Sequence, residues 1–263
     1  GFLIDYTFGA HSLSAGYRAE ILRFLELERQ NTVHHIGMGQ VRLDFPRLLV
    51  NLRDDFTRTS DPPGTELTGR IKSTTNTLAP AVEYQLTARF SAGLNYSWTH
   101  VNFESAVDQL DRNEHFFGAS VFWKFLPRAD LRLGYGYGFK GFDQATERDV
   151  TRHVLTLGLR GDLTAKLSST FRVGVEQREP ERRALADFTG YTMGGDWTYK
   201  PTERTTISLL TDRSVQESTF GRVLFYVTSS ATLSVQQQFG PKLSANLRLG
   251  GGVSDYPSKE TLG

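Results

Sequence analysis

Residues Lys124–Lys140 read KFLPRADLRLGYGYGFK, and this stretch decides the fold. An apolar strand ends at Phe125-Leu126, a polar turn follows, and a second strand begins at once with Leu131, Leu133, Tyr135, Tyr137 and Phe139 on one face. Asp130, Arg132, Gly134, Gly136, Gly138 and Lys140 take the other face. Alternation with period two marks a β-strand that lies between two different surroundings. The same phrase recurs at Phe45-Pro46-Arg47, Leu86-Thr87-Ala88-Arg89, Leu163-Thr164-Ala165-Lys166, Lys200-Pro201-Thr202-Glu203 and Phe239-Gly240-Pro241-Lys242. The chain repeats one hairpin.

Working outward, alternating strands are expected at Phe2–Phe8, Leu13–Ile21, His34–Asp44, Leu48–Asp55, Asn76–Leu86, Phe90–Phe103, Phe117–Phe125, Leu131–Phe142 and Val154–Leu163. They continue at Phe171–Glu176, Tyr191–Tyr199, Thr205–Arg213, Tyr226–Phe239 and Leu243–Val253, about fourteen strands in all. Helical periodicity is absent. Links alternate between tight turns and charged loops, among them Glu26–Thr32, Ser60–Ser73, Glu104–Asn113 and Glu179–Asp187. Outer-membrane barrels have this asymmetry, with short periplasmic turns and longer external loops. The expected fold is therefore all-β, a transmembrane up-and-down antiparallel β-barrel, with residues 1–263 forming a single domain. On this reading the stretch lacks at least one strand at each end, and the complete wall has about sixteen strands or more.

Composition agrees. Hydrophobic residues are 38% and mean hydropathy is −0.36, and no run approaches the roughly 18 apolar residues of a membrane helix. A barrel hides in such an average because only alternate residues meet lipid. Cysteine is absent, which removes disulfides, thiolate nucleophiles and cysteine-ligated metals. Thirty basic and 29 acidic residues give a net charge of +1, with no basic block to bind nucleic acid.

Two features favour lipid outside and water inside over a soluble sandwich. The apolar face carries large aromatics, expected as a lipid-facing girdle: Phe45, Phe90, Trp98, Trp123, Phe125, Tyr135, Tyr137, Tyr199 and Phe239. The opposite face is polar and rich in glycine, which cannot build a sandwich core. By parity it presents Arg18, Arg42, Arg53, Lys124, Arg132, Lys140, Arg160, Arg172, Arg178, Lys200 and Arg248 to a lumen. It also presents Asp5, Glu20, Asp44, Asp55, Glu83, Asp130, Asp162, Glu176, Asp196 and Asp212, so neither sign dominates. Such interleaving is expected to hold water and form cross-strand ion pairs, whereas selective channels display rings of one sign.

Chemistry is not evident. The six histidines are scattered, and adjacent His34 and His35 point to opposite faces of a strand, so no metal or other cofactor is expected. No GxSxG, HExxH or phosphate-cradling loop occurs, and the Gly134–Gly138 alternation lies inside a strand with no following helix. The chain is therefore expected not to be an enzyme.

With the hairpins laid out, the phrases HSLSAGYRAE (His11–Glu20), DLTAKLSSTFRVG (Asp162–Gly174), YKPTERTTISLLTDRSVQEST (Tyr199–Thr219) and FGPKLSANLRLG (Phe239–Gly250) resemble the putative β-barrel porin 2 family. The resemblance implies a bacterial outer-membrane component of polysaccharide export or secretion, with no catalytic residues to carry over. Its implied partners are outer-membrane lipid, exported polysaccharide and periplasmic export proteins. Two alternatives stand beside a channel: a structural barrel anchoring a larger envelope complex, and an enzyme acting on lipid or glycan.

Overall fold

The computed structural model describes residues 1–23, 31–61, 70–104, 108–181, 187–218 and 225–256. Fourteen strands form one antiparallel sheet in sequence order. They are β1 (Phe2–Phe8), β2 (His11–Leu22), β3 (Thr32–Asp44), β4 (Leu48–Thr59), β5 (Ser73–Gln85), β6 (Phe90–Phe103) and β7 (Arg112–Leu126). The second half comprises β8 (Ala129–Phe142), β9 (Val150–Asp162), β10 (Leu167–Pro180), β11 (Phe188–Thr202), β12 (Thr205–Glu217), β13 (Phe225–Gln238) and β14 (Ser244–Asp255). Every strand pairs with its neighbour in sequence, so each element is a hairpin and none crosses over. One set of links has two to five residues and the other seven to 13.

Local chemistry sets the tight turns. Gly9 supplies the positive φ of 64° that the two-residue link between β1 and β2 requires. Thr87 and Thr164, in the two echoed LTA turns, each accept backbone N–H bonds from the second and third residues on, Arg89 and Phe90 in one case and Lys166 and Leu167 in the other. Identical words in the sequence have become identical turns.

The strands run further than their apolar patterns. β7 starts at Arg112, inside the expected loop Glu104–Asn113, because Arg112 and Glu114 on one face and Asn113 and His115 on the other hide the alternation. β5 carries a break: the ladder to β6 omits Ala79 and Pro80, since proline has no N–H to offer on that side. The expected loops Glu26–Thr32, Ser60–Ser73 and Glu179–Asp187 fall largely on residues outside those described.

The sheet is strongly curved. Arg160 on β9 reaches Glu83 on β5 at 2.7 Å, although three strands and about 19 Å of sheet lie between them. Side chains that far apart along a wall meet only on its concave side. The charged face is therefore the concave face, and the apolar face, with Leu133, Tyr135, Leu155, Leu157 and Val175 half exposed or more, is convex. This is an inside-out distribution relative to a soluble protein. β1 and β14 form the two sheet edges, each paired on one side.

Near its long-loop end the β12–β13 hairpin departs from the wall. The β11–β12 ladder stops at Met193↔Arg213, although both strands continue. Beyond it, Val215, Phe225 and Val227 pack with Val150 and Phe188 in a small buried cluster. Arg178 donates to the Val215 carbonyl at 2.9 Å and Arg148 to the Ser218 carbonyl, replacing ladder partners that the departure removes. The hairpin end thus folds in over the concave side.

Candidate functional site: the arginine-lined lumen

Register places all of the expected lumen residues on the concave face, including Arg18, Glu20, Arg42, Arg53, Asp55, Lys124, Lys140, Asp162, Asp196 and Arg248 at its periphery. Ion pairs run along strands as well as across them. Arg18–Glu20, Arg42–Asp44, Arg53–Asp55, Arg112–Glu114 and Arg178–Glu176 each join residues two apart on one strand, at 2.5–3.3 Å. Residues i and i+2 share a face about 7 Å apart, within reach of an arginine. Other pairs run between strands: Lys140–Glu114 at 3.1 Å, Arg160–Asp130 at 3.1 Å and Arg172–Asp212 at 3.7 Å accompany the Arg160–Glu83 strut.

The centre of the concave face is a cavity of about 730 Å³ lined by β4 to β12. Here the near-balance of charge breaks down. Arg132, Arg152, Arg160, Arg172, Arg178 and Arg213 line it with Glu83 and Glu176, and Asp130 and Asp212 pair with Arg160 and Arg172 beside it. Two phenylalanines hold these cations flat. Arg160 lies 4.0 Å over the Phe122 ring with Arg132 at 5.8 Å, and Arg152 lies 4.6 Å over Phe116. Stacking of this kind contributes about 0.5–2 kcal/mol per pair and fixes the direction of the guanidinium.

The glycines of β8 make the stacking possible. A side chain at Gly136 would collide with the Phe116 ring, and one at Gly138 would meet Arg152 at 2.7 Å. Glycine here leaves a shelf on which a ring and a guanidinium lie down. The vacated space is filled by these neighbouring side chains.

The expected girdle residues lie on the convex face, but at two levels. Phe45, Phe90, Trp123, Phe125, Tyr199 and Phe239 ring the short-turn ends, where the rings of Phe8, His11 and Phe45 meet at a tilt, 5.3 and 5.0 Å apart. Trp98, Tyr135 and Tyr137 belong to a second belt toward the long loops. Three diagonal pairs mark it: Tyr17–His35, Tyr96–His115 and Tyr135–His153, at 2.6, 2.8 and 2.7 Å. Each histidine is the fourth residue of its strand. His115 to Phe125 is ten residues, which at barrel tilt separates the belts by about 25 Å, the height of an outer-membrane apolar band.

This arrangement, polar and curved inside with two aromatic belts outside, agrees with the family comparison, which matches residues 3–261 to Putative beta-barrel porin 2. The chain belongs to that family. It is a porin-like barrel of the bacterial outer membrane. No functionally curated protein is significantly similar to it in sequence. Among solved structures it is similar to the ferric-catecholate import receptor Fiu from E. coli K12 in its open form, at 9% identity and TM-score 0.49 over 96% of this chain and 62% of that one. It is also similar to the siderophore receptor PirA from Pseudomonas aeruginosa, at 8% identity and TM-score 0.47 over 94% and 49%. The ferric preacinetobactin receptor BauA from Acinetobacter baumannii matches at 10% identity and TM-score 0.47 over 94% and 51%. The chain thus spans from about half to 62% of the length of these receptors.

Within the porin-like barrel, one cluster approaches the composition of a hydrolytic triad. His34 Nε2 lies 3.1 Å from Ser60 Oγ, and its Nδ1 is 3.8 Å from Asp61 and 4.0 Å from Glu20. The Ser60 backbone N–H also donates to Nε2 at 3.1 Å, occupying the lone pair a general base needs, and Ser60 is buried. The contacts to acid are too long to orient the ring by hydrogen bonding. His34 fastens the end of β4 to β3. Among the described residues no group of three or more His, Asp or Glu could hold a metal ion.

Parity could have revealed Phe116 and Phe122: if Phe117, Val121, Trp123 and Phe125 face out, the intervening positions face in. The local excess of arginine had no such signal. It arises because register sets Arg132 of β8 and Arg172 of β10 on either side of Gly158 of β9, which a count over the whole face averages away.

Proposed function

We propose that the lumen is a passage or holding site for an anionic, hydrated polysaccharide on its way across the outer membrane. The convergence of Arg132, Arg152, Arg160 and Arg172 with Phe116 and Phe122 on one cavity wall carries this reading. Guanidinium groups pair with carboxylate or phosphate substituents of a glycan, and the aromatic rings offer apolar faces to its sugar C–H surfaces. Glycine, serine and threonine between them (Gly93, Gly134, Ser120, Thr156, Thr192) leave the floor free of deep traps. Conduction needs binding strong enough to admit a solute and weak enough to release it. The barrel acts as a conduit, without a catalytic step.

Single-channel conductance in planar bilayers tests the reading. Pores blocked saturably by an acidic polysaccharide, and much less by a neutral one of equal length, are the expected result. Open pores indifferent to the charge of the polymer would overturn it. Membrane-inserted barrels with no conductance would favour a structural role in an envelope complex.

A further inference from the structure

The convex face holds an apolar groove of about 440 Å³ between β5 and β8. Ala119 on β7 forms its floor, paired in register with Leu94 on one side and Tyr135 on the other. One residue pair toward the long loops, Tyr96, Phe117 and Tyr137 form a ridge, with Tyr96 and Phe117 rings 4.8 Å apart. Val82 and Pro80 close the far wall, where the ladder break at Pro80 separates β5 from β6. Small residue, flanking aromatics and local break together make a slot in a wall that is elsewhere evenly studded.

Polar groups cap one end of the slot. Tyr96 and Tyr135 line it, and their hydroxyls meet Nδ1 of His115 and His153. With Nδ1 of each ring engaged by a phenol, Nε2 is the ring atom left to bond a headgroup. Just beyond, His100 Nδ1 and Trp98 Nε1 both reach Asn113 Oδ1, at 3.0 and 3.3 Å. The slot itself sits at hydrocarbon depth and the cap at the long-loop belt, which is the external interface of an outer-membrane barrel.

We propose that this groove is a specific site for one lipid of the outer leaflet, with an acyl chain lying over Ala119 and a headgroup phosphate accepting hydrogen bonds from His115 and His153. The occupant is a lipid because the face is bathed in bilayer and the lining is apolar. A phosphate-bearing headgroup is specified because the cap offers donors at the depth where headgroups begin. The proposal is independent of what the lumen passes.

Native mass spectrometry of the barrel released from nanodiscs of outer-membrane lipid extract provides the test. The wild type is expected to retain one phosphate-bearing lipid under activation that strips the rest. Ala119→Phe fills the floor and is expected to lose it, while Leu157→Phe, also on the convex face but outside the groove, keeps it. Combined His115→Leu and His153→Leu are expected to abolish the preference for phosphate-bearing over uncharged lipid while acyl-chain retention persists. Heat-modifiable migration on gels shows that each variant is folded. Equal retention by wild type and Ala119→Phe, or no preference for phosphate in the wild type, would overturn the assignment.

Discussion

Replacing Arg160 by methionine and Glu83 by glutamine, singly and together, tests the curvature of the wall and the charge of the lumen at once. Arg160 bonds Glu83 at 2.7 Å and Asp130 at 3.1 Å and stacks on Phe122 at 4.0 Å. The side chains are 40%, 23% and 20% exposed for Arg160, Glu83 and Asp130, so solvent screens each ion pair to roughly 0.5–1 kcal/mol. Stacking adds about 0.5–1 kcal/mol at this exposure. Arg160→Met therefore costs about 2 kcal/mol, and the coupling of Arg160 to Glu83 in the double-mutant cycle is about 1 kcal/mol. Urea unfolding of the vesicle-inserted barrel, followed by tryptophan fluorescence, measures both. Reversal potentials supply an independent reading: Arg160→Met leaves Glu83 and Asp130 facing the lumen and shifts selectivity toward cations, and adding Glu83→Gln moves it back. Coupling below about 0.3 kcal/mol would mean that the two side chains do not meet, which would refute the curvature argument and the face assignments built on it.

Adjacent residues Ala119 and Ser120 face opposite ways, so Ala119→Asp is expected to destabilise the inserted barrel by about 2 kcal/mol or more, while Ser120→Asp, beside Arg132, leaves stability within about 1 kcal/mol and shifts ion selectivity toward cations; both are read by the same unfolding and bilayer assays. Arg178 and Glu176 are a buried pair, 6% and 8% exposed, so Arg178→Met costs about 3–5 kcal/mol in urea unfolding and Arg178→Met with Glu176→Gln recovers most of it. Arg178→Met also frees the Val215 carbonyl, and the surviving channels are expected to conduct more as the β12–β13 end swings out. Gly136→Val takes the space of the Phe116 ring, unstacks Arg152 and costs about 1–3 kcal/mol, with a smaller single-channel current as the phenyl ring turns into the lumen.

Much of the fold was legible because two surroundings impose period two on the chain. Lys124–Lys140 carries the alternation openly, and its facing survives in the structure residue by residue. Arg112–Phe116 was illegible because polar residues occupy both faces near the rim, where neither lipid nor lumen enforces a contrast. Ion pairing was written in the sequence as Arg-x-acid, from Arg18-x-Glu20 to Arg112-x-Glu114, since parity alone puts such residues on one face. The arginine cavity and the Tyr–His belt were not, because they depend on how neighbouring strands are set against one another. Tyr135 meets His153 and not its register partner Leu155, and only the diagonal offset of tilted strands brings them to the same depth.

Both faces act together to hold register. On β7, Glu114 pairs with Lys140 inside while His115 and Phe117, one and three positions on, enter the Tyr96 cluster outside. Sliding β7 by one residue would turn Glu114, Lys124 and the Phe122 shelf toward lipid and bring Trp123 and Phe117 into the lumen. A charge placed at mid-bilayer costs about 2–4 kcal/mol on a barrel wall, so the slip is opposed by both solvents at once. The open alternation of β8 needs no such help, because a single face of Leu and Tyr against Gly and Arg already fixes it. The diagonal Tyr–His and along-strand Arg–acid contacts are most informative where the simple pattern is weakest, at the strand ends toward the long loops. There the same contacts that fix register also furnish the polar cap of the outer groove and the ion-paired rim of the lumen.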